Sequence, residues 1–291
     1  MGKDISLVLG SGGARGLAHI GIIHWLNENG FKIQSISGCS MGALIGGIYA
    51  AGKLDDFEHW VRAITKVEII KLLDLSWSSS GLVKGDRIIN TLTGLVGDQV
   101  IEDLPVTFTA VAADIVSEKE VWINNGRLFD AIRASISLPL FFTPFRRNGL
   151  DLIDGGVLNP VPIAPTFSDS TDLTIAVNLG GMVDTEEVIE RTDSSDNKDK
   201  SVFSEAVTDY VGRLTDSIAG GVNQDWGAYD IANQAFDAMQ STIARQKLAA
   251  YPADANIEIA RNACGTLEFE RASEMIDLGY AKAEESLRSF A

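Results

Sequence analysis

Ser40 stands in Gly38-Cys39-Ser40-Met41-Gly42, after a β-branched apolar run and ahead of a stretch of small residues. A serine at a sharp turn from strand into helix exposes its hydroxyl at the helix N-terminus, and flanking glycines give the backbone room to make that turn. Asp154 closes a second apolar run, Leu150-Asp151-Leu152-Ile153, and is followed by Gly155-Gly156. A third piece, Gly10-Ser11-Gly12-Gly13-Ala14-Arg15-Gly16, is a glycine-rich turn whose amides suit a negative oxygen. Nucleophile, base and anion-holding amides are the three parts of an acyl hydrolase. Each has a plainer reading as well. Ser40 is a good helix cap, and Asp-Gly pairs commonly form turns.

The partner of the serine is not an obvious histidine. A hydrolase with the triad order serine, acid, histidine needs its histidine late in the chain, whereas His19, His24 and His59 all lie early. His19 and His24 fall on the first expected helix, where packing or solvent contact is the expectation. The hydroxyl proton then needs a carboxylate whose pKa burial has raised, and Asp154 leads, with Asp151 competing from the same strand. The glycine loop also invites a dinucleotide reading. Gly10 and Gly12 fit Gly-x-Gly-x-x-Gly, but Arg15 holds the last glycine position and no acid ends the second strand, both of which count against a cofactor site.

These groups require strands that end at them. Ile5–Leu9 reads as a buried strand, Leu17–Asn29 as a helix, Ile33–Ser37 as a strand and Met41–Ala51 as a small-residue helix. Such alternation predicts a parallel sheet covered on both faces. Leu54–Lys66 reads as one amphipathic helix, 77–81 as a loop, and Asp86 as the cap of a helix to about Leu95. Val106–Ala113, Lys119–Ile123, Leu150–Ile153 and Leu173–Asn178 read as the remaining strands, with a short helix over Leu128–Ser135. Residues 184–200 are almost wholly polar and read as a mobile surface loop, a solvated insertion or a lid over the site. The part from 203 to 291 reads as mainly helical, with helical spacing over Phe203–Leu248 and Phe269–Leu287. The whole, 1–291, reads as a single catalytic domain.

Composition removes other classes. A net charge of −16 over 291 residues disfavours nucleic acid and, on average, anionic lipid heads. Any membrane contact falls to a local apolar or basic patch, and Leu138-Pro139-Leu140-Phe141-Phe142-Thr143-Pro144-Phe145 followed by Arg146-Arg147 is one such place. Its aromatics suit an acyl pocket, a lipid interface or plain loop packing. Cys39 and Cys264 give no disulfide framework, and the N-terminus lacks the apolar region of a signal peptide, which fits a cytoplasmic setting, peripheral to membranes at most. The uncharged stretch from Ile33 to Gly52 approaches the length of a membrane span, yet its serines and glycines favour a buried strand, turn and helix.

Four ordered motifs together resemble the bacterial patatin-like phospholipase family: the glycine loop, Gly-Cys-Ser-Met-Gly, Arg133-Ala134-Ser135-Ile136-Ser137-Leu138-Pro139, and Asp154-Gly155-Gly156-Val157-Leu158-Asn159-Pro160-Val161-Pro162. The resemblance runs from Leu7 to about Pro162, with a weaker echo near Leu267 to Ala281. It implies a three-layer α/β/α fold with a mainly parallel central sheet, and a Ser-Asp dyad of Ser40 and Asp154. It also implies an oxyanion hole from Gly12, Gly13, Ala14 and Arg15. The implied activity is hydrolysis of acyl esters in phospholipids or related lipids, of the phospholipase A or lysophospholipase type, with no metal or organic cofactor. Leu140 departs from the glycine that many relatives carry after the proline, which alters the expected apolar wall near Phe141 and Phe142. A general carboxylesterase or thioesterase acting on small soluble substrates is the nearest rival reading. A nucleotide-binding regulatory module is the more distant one.

Overall fold

The computed structural model describes residues 2–72, 83–184 and 228–290. Strand β1 (Lys3–Leu9), helix α1 (Ala18–Glu28), strand β2 (Phe31–Cys39) and helix α2 (Met41–Ala50) form the expected opening alternation. Helices α3 (Leu54–Ala63), α4 (Lys66–Leu72) and α5 (Asp86–Val96) follow. Next come strands β3 (Thr107–Asp114) and β4 (Lys119–Ile123), helix α6 (Leu128–Ser135), and strands β5 (Phe145–Arg147), β6 (Leu150–Asp154) and β7 (Leu173–Gly181). Helix α7 (Ala228–Ala250), strand β8 (Ala255–Ala260) and helix α8 (Ala272–Leu287) complete the described chain.

The strands make one eight-stranded sheet with hydrogen-bonded order β5-β6-β3-β2-β1-β7-β8, and β4 also pairs with β3. The pairs of β1 with β2 and β7, of β2 with β3 and of β7 with β8 are parallel, so the central sheet is mainly parallel. Parallel strands bury both faces, and β1 shows how. Ile5, Leu7 and Leu9 join the main core with Ile20 and Ile23 of α1 and Ile45 of α2, whereas Val8 meets Val161, Ile163, Ala176 and Ala244 of α7. The two-residue period of a strand thus feeds two helical layers, giving the three-layer α/β/α fold.

The sheet register brings two distant segments to one point. Ala110 and Val111 of β3 pair with both β2 and β4, and Ala112 to Asp114 pair with both β4 and β6. A strand has only two edges, so β2 and β6 lie end to end on the same edge of β3. Cys39 is opposite Val111 and Asp154 is opposite the next residue, Ala112. The chain leaving β2 at Ser40 therefore meets the chain leaving β6 at Asp154.

The first helix, expected over Leu17–Asn29, runs over Ala18–Glu28 and is led into by a 3-10 turn over Gly13–Leu17. Other expectations are corrected. The expected helix Leu54–Lys66 is two helices. Ile64 is extended, and Thr65 with Glu68 forms a reciprocal capping box at the start of α4, with Thr65 N–H to Glu68 Oε2 at 2.9 Å and Glu68 N–H to Thr65 Oγ1 at 3.3 Å. Gly85, at φ +74°, occupies the cap position assigned to Asp86, which instead opens α5. Strands β5 and β8 were not anticipated. The expected loop at 77–81 lies outside the described residues, as do nearly all of the polar stretch 184–200 and the first part of the helical stretch from 203.

Candidate active site

Ser40 links β2 to α2 at φ +55° and ψ −121°, a conformation that costs a non-glycine residue about 1–3 kcal/mol and survives only where its surroundings enforce it. The enforcement is visible. Ser40 N–H donates to Ser135 Oγ at 2.9 Å, and Ser135 Oγ–H donates to Val111 O at 2.6 Å, so α6 and β3 clamp the turn. From the other side Gly42 presses on the end of β1, where a Cβ would stand 2.0 Å from Leu9 O. Ser40 stands at the N-cap position of α2, but its side chain makes no capping bond to the helix. Its Oγ–H donates instead to Asp154 Oδ2 at 2.5 Å.

Asp154 is fully buried. Its Oδ1 accepts the Gly156 amide at 2.8 Å, capping the 3-10 turn Gly155–Val157, and its own amide donates to Ser137 O at 2.9 Å. The turn-forming and proton-accepting readings thus describe the two oxygens of one carboxylate. Burial pushes its pKa up from 3.8 to about 6, against the opposing pull of hydrogen bonds from Ser40, Gly156 and Cys39. Asp151 does not compete, because it is exposed and in register with Arg146 across β5. Cys39 is buried with Sγ 3.9 Å from Asp154 Oδ1, and burial first, then the Asp154 charge, pushes its thiol well above the ordinary range. It packs as a neutral thiol and is no thiolate nucleophile.

The glycine loop passes close by, with Gly13 and Ser40 lining one cavity. Gly10 N–H donates to Val177 O at 3.1 Å and Ser11 N–H to Pro160 O at 2.8 Å. Ala14 N–H donates to Thr266 O at 2.8 Å, and since an amide has one proton this withdraws Ala14 from the expected anion-holding set. The Gly12 and Gly13 amides have no main-chain acceptor among the described residues. Met41 opens α2, so its N–H has no acceptor within the helix either. The Arg15 guanidinium is engaged elsewhere, donating to Arg261 O at 3.0 Å, Cys264 O at 3.2 Å and Asp237 at 3.3 Å. It braces the loop and brings no free charge.

The histidines have structural duties. His19 Nε2 bonds Gly10 O at 2.9 Å, and burial lowers its pKa to about 4, so it is neutral at pH 7 and donates to that carbonyl. His24 pairs with Glu58 at 2.5 Å, and His59 is exposed on α3. Among the described residues no three His, Cys, Asp or Glu side chains cluster as metal ligands, and no helix is long and apolar enough to cross a membrane.

Ser40 opens on a cavity of ≈ 880 Å³, mouth included, whose lining is almost wholly apolar. Leu44 of α2, Trp60 of α3, Leu92 of α5, Phe141 and Phe142 supply its walls. Arg133, buried on α6, holds the proline-rich wall in place. It donates to Ser137 Oγ at 2.6 Å and to Thr143 O at 3.0 Å, with the Phe142 ring centroid 5.3 Å away. Leu140 is not part of that wall. It sits at φ +65° and is 63% exposed, so the position favours the glycine it lacks. The far side of the cavity includes Thr266, Leu267 and Phe269, which the sequence did not nominate; the weak family echo from Leu267 was the available signal.

Comparison with known proteins places the chain among relatives. Residues 7–167 match the family described as patatin-like phospholipase. An uncharacterized NTE family protein of Mycobacterium tuberculosis is 38% identical, over 98% of this chain and 92% of its own length. The neuropathy target esterase sws of Drosophila melanogaster is 31% identical over 64% of this chain and 13% of its own length. Lysophospholipase NTE1 of Yarrowia lipolytica is 31% identical over 63% and 13% respectively. With the motifs, the fold and these relatives in agreement, the chain belongs to the patatin-like phospholipase family.

Proposed function

We propose that this protein is a lipid acyl hydrolase of the phospholipase A or lysophospholipase type, cleaving carboxylic esters through a Ser40–Asp154 dyad. The observation that carries the reading is the 2.5 Å hydrogen bond from Ser40 Oγ to the buried Asp154 carboxylate, made at the edge of an apolar cavity. Ser40 Oγ attacks the ester carbonyl carbon as its proton passes to Asp154 Oδ2. The oxyanion is held by the amides of Gly12 and Gly13, with Met41 N–H at the start of α2 as a third donor. Collapse breaks the bond to the alcohol, which takes the proton from Asp154. Water then repeats the sequence on the acyl-enzyme: its proton goes to Asp154, its oxygen to the carbonyl, and Ser40 Oγ leaves with the proton returned.

The apolar lining favours a fatty acyl chain over a small polar acyl group, and relatives named esterase and lysophospholipase support the same class. A fluorophosphonate probe is expected to label the wild type and spare Ser40→Ala. Hydrolysis of lysophosphatidylcholine and phosphatidylcholine micelles is expected to vanish in both Ser40→Ala and Asp154→Asn. Labelling of Ser40→Ala, or turnover by Asp154→Asn within tenfold of wild type, would move the chemistry to other residues.

A further inference from the structure

The segment from Arg261 to Phe269 lies outside the residues that match the family, yet it touches both halves of the site. Its turn is closed on itself: Gly265 N–H donates to Glu268 Oε2 at 2.9 Å, Glu268 N–H returns to Gly265 O at 3.2 Å, and Arg271 holds the same carboxylate oxygen at 3.0 Å. On one side the turn grips the glycine loop. Thr266 O accepts the Ala14 amide at 2.8 Å, and Arg15 reaches back to Arg261 O and Cys264 O at 3.0 and 3.2 Å. The contact is backbone against backbone, since a Cβ on Gly13 would stand 2.4 Å from Thr266 O. On its other side the same turn presents Leu267 and Phe269 to the apolar cavity.

We propose that the Cys264–Phe269 turn couples occupancy of the cavity by a fatty acyl chain to alignment of the oxyanion amides, so that chain length is read in the rate of the chemical step. This rests on the reading of Ser40 as nucleophile and of the cavity as the acyl site. The turn's own hydrogen bonds make it stiff, so a chain packed against Leu267 and Phe269 shifts it as a unit, and the shift passes through the standing Thr266–Ala14 hydrogen bond to the amides of Gly12 and Gly13. A short acyl group leaves that contact unmade. Leu267 is accordingly a positioning residue, acting through Thr266 and the glycine loop.

The test compares p-nitrophenyl laurate with p-nitrophenyl acetate in wild type and Leu267→Ala. The ratio of kcat for laurate to kcat for acetate is expected to fall about tenfold in the variant, as a small misplacement of the oxyanion donors would give, while the KM for laurate changes less than the kcat. A rise in laurate KM with the kcat ratio unchanged would make the turn a passive wall and overturn the coupling. Equal loss on both esters would reduce it to a structural brace and overturn it as well. Leu267→Met, which refills the space, is expected to restore most of the ratio, and Leu267→Val reads the same split if the alanine variant does not fold. Fluorophosphonate labelling of Ser40 reports on the dyad separately: labelling retained with an unchanged ratio defeats the coupling alone, and labelling absent from the wild type defeats the dyad.

Discussion

Replacing Asp154 by Asn is expected to stop turnover and stabilise the protein, and the size of the second effect follows from the first. The carboxylate is fully buried and its hydrogen bonds come from a hydroxyl, an amide and a thiol, none of them charged. Its pKa stands at about 6 in the fold against 3.8 for the ordinary group. Between those values the folded protein holds a proton that the unfolded chain has released, so stability falls as pH rises from about 3.8 to about 6 and stays lower above. That difference amounts to about 3 kcal/mol at pH 7.5. His19 works in the opposite sense. Its pKa is lowered from 6.5 to about 4, so the unfolded chain binds the extra proton there, and stability is lost as pH falls through that interval, also by about 3 kcal/mol. In the wild type the two slopes largely cancel, and the quantity to read is therefore the difference between variant and wild type. Urea unfolding at pH 4, 5, 6 and 7.5 should show Asp154→Asn gaining on wild type as pH rises, and His19→Gln gaining on it as pH falls. The wild-type kcat/KM should climb with unit slope to a plateau above about pH 6, where the base is ionised. An acid limb centred near pH 4, or an Asp154→Asn variant that gains nothing between pH 4 and pH 7.5, would refute the assignment of a desolvated base.

Other variants probe the supports. Gly42→Ala drives a methyl against Leu9 O, a backbone atom with no room to yield, and should cost about 3 kcal/mol in urea unfolding and most of the activity. Ser40→Gly should be more stable than Ser40→Ala by about 1 kcal/mol, since only glycine accepts the positive φ of the turn freely; equal stability would mean the turn is unstrained. Leu140→Gly should stabilise by about 0.5–1 kcal/mol, because a left-handed leucine is relieved and little buried surface is lost.

The sheet and the meeting of Ser40 with Asp154 were legible because strand ends, glycines and apolar periods are local signals. Leu128–Ser135 emerges with the expected bounds, β1, β2 and β6 extend their expected spans by one to a few residues, and β3 is shifted by one. The misses have physical causes. β5 is only Phe145–Arg147, behind a proline, and its pairing with β6 supplies what its own sequence does not. β8 shows clean alternation, with Ala255, Ile257 and Ile259 inward, but its Asn and Glu residues and a helical neighbourhood hid it. The division of α3 from α4 was written in Thr65 and Glu68 and needed only the capping rule. The fate of the Ala14 amide could not be read at all, since its acceptor, Thr266, is set by tertiary docking and by no nearby residue.

Because β2 and β6 share one edge of β3, neither Ser40 nor Asp154 is held by its own stretch of sequence; both are moored to a third strand that lies between them in the chain. During synthesis Ser40 emerges before its mooring strand, that strand before Asp154, and Asp154 before the Thr266 carbonyl. A nascent chain that has not yet delivered Asp154 and Thr266 therefore carries only an ordinary alcohol at Ser40, and the proposed hydrolytic centre is assembled only after these separate segments have docked on one another.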